Sequence, residues 1–153
     1  MQAIKDFFAP RPWWMNGVFL FCLYMTFVYM PFDMFVKPVA EDQEVWFGFV
    51  LTGWWAKATE PLHWLIYGFG AWGFHKMRPW MHPWAGLYVL QVAISMVVWS
   101  ILDDRGGGLM SGAIAGSLFV GLAVAFFVSR DRFSVAVVND VAAEQENSEK
   151  TGE

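Results

Sequence analysis

Charge is scarce in this sequence. Only 16% of its 153 residues are Asp, Glu, Lys or Arg, against about 25% in a soluble domain. Cysteine is scarcer still: Cys22 stands alone, which excludes an intrachain disulfide. There is no basic patch. The net charge is −4, and Asp140, Glu144, Glu146, Glu149 and Glu153 face a single Lys150 near the C-terminus. Without cations to neutralise phosphates, nucleic acid is excluded as a partner. No Ser-His-Asp, Cys-His or His-x-x-x-His arrangement is present, so no hydrolase, protease or desaturase is indicated, and no internal repeat is visible.

Apolar side chains fill the space that charge leaves. They make up 57% of the chain, and aromatics alone 19%. The ten Trp cluster near the ends of apolar runs, as at Trp13-Trp14, Trp54-Trp55, Trp80, Trp84 and Trp99. An amphipathic ring favours the headgroup layer at that depth. The fold class expected is an all-α integral membrane protein: a four-transmembrane-helix bundle with an extra short interfacial or re-entrant helix between spans one and two.

The spans follow from apolar runs of about 20 residues, the length that crosses the hydrocarbon at 1.5 Å per residue. They are expected at 13–30, 57–75, 83–102 and 109–129. Residues 1–12 form an N-terminal segment, and 134–153 a polar tail expected to be unstructured. The first run is longer than a signal h-region and lacks a small-x-small site, so it is read as a permanent span ended by Pro31. Pro61 falls in the first turn of span two, where a missing N–H costs little. The 12-residue run 45–56 is too short to cross. Its small residues Gly48, Thr52 and Ala56 recur every four positions, a helical stripe suited to close packing.

Sidedness follows from the basic residues. Lys5, Arg11, Lys76, Arg78, Arg130, Arg132 and Lys150 share one side, and Lys37, Lys57 and Arg105 the other. Such asymmetry across short loops places both termini in the cytoplasm, with the chain integral to a plasma (bacterial inner) membrane.

Gly68-Phe69-Gly70-Ala71-Trp72-Gly73 matches G-x-G-x-x-G by letter. It lies inside an apolar helix with no strand before it, so dinucleotide binding is rejected. Gly112-x-x-x-Gly116, with Ser117 and Gly121, forms a small-residue stripe on span four. Such stripes serve contact within a bundle or self-association.

Projection at 100° per residue yields one polar constellation. Glu60, His63 and Tyr67 share a face of span two. Gln91 and Ser95 lie on a stripe of span three that continues past Trp99 toward Asp103. Cys22, Thr26 and Tyr29, followed by Asp33, line span one. Polar atoms facing lipid are costly, so these stripes should converge inside the bundle. Asp33, Glu60, His63, Tyr67, Gln91, Ser95 and Asp103 are therefore the candidate ligand-binding residues. Catalytic residues are not assigned. Glu60-x-x-His63 has the spacing of carboxylate-bridged metal sites, but such sites use two copies of it and further carboxylates. No metal site is assigned, and the cofactor is left open. His63 is expected near the outer face and His75 and His82 near the inner one, so one chain does not clamp a haem between two histidines. A quinone needs less: one donor and an aromatic slot.

Two functional classes follow. The first is a non-enzymatic accessory or assembly subunit, packing through its aromatic surface and small-residue stripes on other membrane subunits or on itself. The second is a ligand-handling protein, a small-solute carrier or a quinone- or haem-contacting redox subunit. An open, solvated polar pocket would favour the second class, and a closed, internally paired one the first. In the structural alternative, Lys57, Glu60 and Asp103 pair at the headgroup level and serve no ligand.

Overall fold

The computed structural model describes residues 2–133; the polar tail at 134–153 lies outside the described residues. The described chain is mostly helical. A short helix, α1 (Gln2–Phe8), precedes a continuous helical run of 23 residues from Trp13 to Phe35. That run comprises α2 (Trp13–Tyr24), a π-helical turn (Met25–Tyr29) and α3 (Met30–Phe35). After a loop come strands β1 (Gln43–Trp46) and β2 (Phe49–Thr52), then α4 (Trp54–His75), α5 (Met81–Leu102) and α6 (Gly108–Val128). Three helical runs are long and apolar enough to cross a membrane: Trp13–Phe35, α5 and α6. The 22 residues of α4 match them in length but include Lys57 and Glu60.

Pro31 does not end the first run. The Met30 N–H bonds back to the Met25 carbonyl, five residues away. In that register the partner of the Thr26 carbonyl would be Pro31, which has no N–H. The Trp64 indole of α4 takes its place, donating to the Thr26 carbonyl at 2.8 Å. The π turn also shifts the inward face by one residue. Tyr29, expected on the polar stripe, is exposed, while Met30 is buried.

The short helix expected at 45–56 is a β-hairpin followed by the start of α4. Gln43 pairs with Thr52 and Trp46 with Phe49 in an antiparallel register. Phe47 and Gly48, at φ +52° and +90°, form a two-residue turn with the positive φ pair that matches strand twist. Gly48 presses onto α5, where an added Cβ would lie 2.3 Å from that of Val98. Only a glycine fits there. Thr52 is exposed at the end of β2, and Ala56 is buried in α4, so no common helical stripe exists. Residues of this segment are aromatic or β-branched, which suits a pleated surface.

The helices form two pairs: α2 packs on α4, and α5 on α6. Gly112 and Gly116 let α6 reach the α5 backbone, with Val97 and Ser100 against Gly112 and Val97 and Ala93 against Gly116. These two glycines thus serve contact inside the chain. Ser117 and Gly121 are exposed, the Ser117 hydroxyl donating to the Ile114 carbonyl. The Gly-x-Gly-x-x-Gly stretch lies within α4; Gly70 meets Cys22, and Gly73 meets Met81 and Trp80.

The buried core gathers at the C-terminal end of α4, from Met15, Phe19, Phe74, Met81, Phe126 and their neighbours. Arg11, 4% exposed, seals it. Its guanidinium donates to the Phe74 and His75 carbonyls and lies 4.3 Å from the Phe19 ring centre. A cation there satisfies orphan carbonyls and complements the helix dipole.

If Trp64 completes the π turn, Trp64→Phe leaves a carbonyl unpaired in apolar surroundings. Its thermal midpoint in mild detergent should fall by the equivalent of about 1–3 kcal/mol. In a Pro31→Ala background the same change should cost less than half as much, because an alanine there restores the N–H. Additive costs in the double variant would contradict this assignment.

Candidate functional site

The start of α4 carries a polar cluster. Glu60 is 0% exposed, Asp42 1% and Asp33 2%. Three buried carboxylates need cations, and two lysines supply them. Lys37 reaches Asp33 at 2.8 Å and Asp42 at 2.8 Å. Lys57 reaches Glu60 at 3.2 Å and Asp42 at 3.4 Å, and donates to the backbone carbonyls of Asp33 and Lys37. Burial opposes the charge on Lys37, but Asp33 and Asp42 outweigh it and hold its ammonium above the usual lysine value. Burial likewise opposes ionisation of Asp42, yet hydrogen bonding and the charges of Lys37 and Lys57 hold its carboxyl below the ordinary 3.8.

The hairpin closes the cluster from one side. On β1 the alternation of strand side chains turns Glu44 and Trp46 inward. Glu44 meets the His63 Nδ1 at 2.7 Å, and the Trp46 indole stacks on the His63 ring at 4.1 Å and 6°. One carboxylate oxygen from each of Asp33, Glu44 and Glu60 lies within 4.8 Å of the others. Asp33 Oδ2 and Glu60 Oε2 are buried without a hydrogen-bond partner.

Of the seven candidate residues, Asp33, Glu60 and His63 thus come together. Tyr67 lies one turn further along α4, its ring 6.3 Å from His63 and edge-on to Tyr88 at 6.4 Å. Gln91 and Ser95 bond to each other at 2.8 Å on α5. Asp103 stands at the exposed rim with Arg105, which reaches across to Gln43 of the hairpin at 2.9 Å. Side-chain and backbone hydrogen bonds from Arg105 hold Asp103 well below the usual carboxylate range. Helical projection omits Lys37, Asp42, Glu44, Trp46 and Lys57, which complete the cluster. Their signal was the dense mixed charge of 33–44 beside a buried acid, with Asp33 and Lys37 at i,i+4 spacing.

A second feature lies between the two helix pairs. An apolar cleft of about 1250 Å³ runs between α2, α4, α5 and α6. Trp14, Phe21, Trp72, Trp80 and Trp84 are among its aromatic walls, and Tyr67 and Tyr88 carry its only hydroxyls. Among the described residues no charged side chain lines it. Trp13, Leu65, Phe69 and Trp84 on its walls are exposed, so it opens sideways on the bundle surface. The polar cluster is largely buried and cross-linked by ion pairs; the cleft is apolar and open.

No known protein family, curated protein or solved structure matches this chain.

Lys57→Met should leave Asp42 and Glu60 buried with one cation fewer. The expected loss is about 3–5 kcal/mol, the cost of breaking a buried pair from one side, read as a lowered thermal midpoint in detergent. Lys57→Met combined with Glu60→Leu should recover part of it. Asp103→Asn, at the exposed rim, should barely move the midpoint. Equal effects of Lys57→Met and Asp103→Asn would contradict the cluster as described.

Proposed function

We propose that this is a four-span membrane protein without catalytic machinery of its own. It holds a neutral, membrane-dissolved lipophile in the cleft between its helix pairs. The cleft itself carries this reading. Ligand sites are concave and mostly apolar, with a few placed polar groups, and span about 300–1,000 Å³. This one is larger and open to the side, which suits a ring joined to a long apolar chain. The absence of charge on its walls favours a neutral molecule. Flanking indoles offer stacking faces, and the Tyr67 and Tyr88 hydroxyls offer donors to a ring carbonyl. A quinone-like lipid has those features. The ligand-handling role therefore moves from the polar cluster to the cleft beside it.

An accessory or assembly subunit of a larger membrane complex is the second reading. The sideways opening favours it, since an apolar helix of another subunit could lie there. The small-residue stripes no longer argue for it, because Gly112 and Gly116 are occupied by α5.

Decylubiquinone separates the two. Five tryptophans of the cleft wall (Trp13, Trp14, Trp72, Trp80 and Trp84) should report binding as saturable fluorescence quenching of the protein in detergent. Ala85→Phe, which fills the cleft, should weaken binding at least tenfold. Tyr67→Phe should weaken it about two- to tenfold, the value of one hydrogen bond. Quenching that never saturates, or that ignores Ala85→Phe, would remove the ligand reading and leave the subunit reading.

The topology proposed is four crossings with both termini cytoplasmic. In this arrangement α4 is the second crossing, about 33 Å long at 1.5 Å per residue, with its polar start at the outer face. Externally applied maleimide should label Glu41→Cys and Asp104→Cys in intact cells and spare Lys76→Cys; the native Cys22 is buried. Labelling of Glu41→Cys and Lys76→Cys with Asp104→Cys spared would mean that α4 does not cross.

A further inference from the structure

We infer that Asp33, Glu44 and Glu60 form a binding site for one hard divalent cation, independent of the cleft and its ligand. Acidic side chains near one another are common, and proximity alone would not carry this. Two further observations do.

The first is the oxygens that the lysines leave over. Lys37 engages Asp33 through Oδ1, and Lys57 engages Glu60 through Oε1. The second oxygen of each, Asp33 Oδ2 and Glu60 Oε2, is buried and unpartnered. Their side chains are 3% and 0% exposed. A buried carboxylate oxygen without a donor is costly, and a metal ion satisfies it directly. Ligand oxygens on one ion at about 2.1–2.5 Å sit no more than about 5 Å apart. One oxygen from each of Asp33, Glu44 and Glu60 lies within 4.8 Å of the others, which meets that condition.

The second is charge. The cluster holds four carboxylates, Asp33, Asp42, Glu44 and Glu60, against Lys37 and Lys57. Acidic groups thus outnumber ammonium groups by two in a largely buried site. A divalent cation supplies positive charge where the lysines are outnumbered. Glu44 is positioned by the His63 Nδ1 on its own Oε2 at 2.7 Å, and His63 is fixed in turn by Trp46. Metal-binding carboxylates are commonly oriented by such outer partners. An all-oxygen ligand set without thiolate selects Mg²⁺, Ca²⁺ or Mn²⁺ over softer ions. The ion would join α3, β1 and α4, three successive segments of the chain.

The test uses Mn²⁺ as the probe. The full-length protein in detergent, stripped with EDTA and dialysed, is titrated with MnCl₂, and free Mn²⁺ is followed by electron paramagnetic resonance. One Mn²⁺ per chain should bind saturably, and Ca²⁺ or Mg²⁺ should displace it. Glu60→Gln and Asp33→Asn should each weaken binding at least tenfold. Because those buried variants can impair folding, Glu44→Gln provides the safer case. It leaves both lysine pairs intact and should also weaken binding at least tenfold, with an unchanged circular dichroism spectrum. Asp103→Asn should bind like the parent. Absence of saturable binding overturns the proposal and leaves shared protons as the balancing charge. So does binding that Glu44→Gln leaves unchanged, which would place the ion elsewhere, such as on the acidic residues at 140–153.

Discussion

A single ammonium group, that of Lys57, ties together the end of the first long helix, the loop after it and the start of α4. It touches the Asp42 and Glu60 carboxylates and the backbone carbonyls of Asp33 and Lys37. Each contact reaches a different piece of chain. Lysine is suited to this because its compact charge sits on a flexible stem and donates in three directions. Much else depends on it. Glu60 can be fully buried because Lys57 is three residues away, and Asp42 can fold under the hairpin because Lys37 and Lys57 flank it. The hairpin can then lay Glu44 and Trp46 against His63.

That arrangement separates two environments along α4. The first turns are polar and locked by ion pairs. From Tyr67 onward the helix is apolar, and its far end is closed by Arg11 on the Phe74 and His75 carbonyls. Both ends of the helix are thus held by cations, one through carboxylates and one through backbone oxygens. The middle carries no comparable lock against α5. The two helix pairs diverge there, and the cleft is what that divergence leaves. The cleft thus lies between two ends of α4 that are each held by cations.

The helical parts of this structure were legible in the sequence because lipid-solvated helices announce themselves by length and composition. The runs of α5 and α6 were bounded within a few residues. The inward turn of Glu60 and His63 was legible too, since exposing them to hydrocarbon would be costly. The hairpin was not. Gly48, Thr52 and Ala56 happen to recur at a helical interval, and in so short an apolar run that interval masked the stronger signal. Val45, Trp46, Phe49 and Val50 are strand formers around a Phe-Gly turn. Once the hairpin is missed, Glu44 and Trp46 cannot be placed beside His63, and the cluster loses one wall. Helical projection and depth group Asp103 with Glu60 and His63, while the structural alternative leaves it paired at the headgroup level. Arg105, two residues on, holds it at the rim, where both charges stay hydrated. The cleft was invisible because a void between helices has no residue of its own.

The π turn at Met25–Tyr29 has one more consequence. A helix that closes a ring over five residues instead of four carries one residue in excess of the regular winding. Everything downstream is rotated by about 100° relative to everything upstream. Met30 and Asp33 therefore face inward in phase with each other but out of step with Cys22 and Thr26. The excess residue acts as a phase adjuster: it lets one helix present an apolar edge to the cleft and, about three turns later, a carboxylate to the lysines. A helix shortened by one residue in that turn would still reach from Trp13 to the loop, yet it could serve only one of those two neighbours at a time.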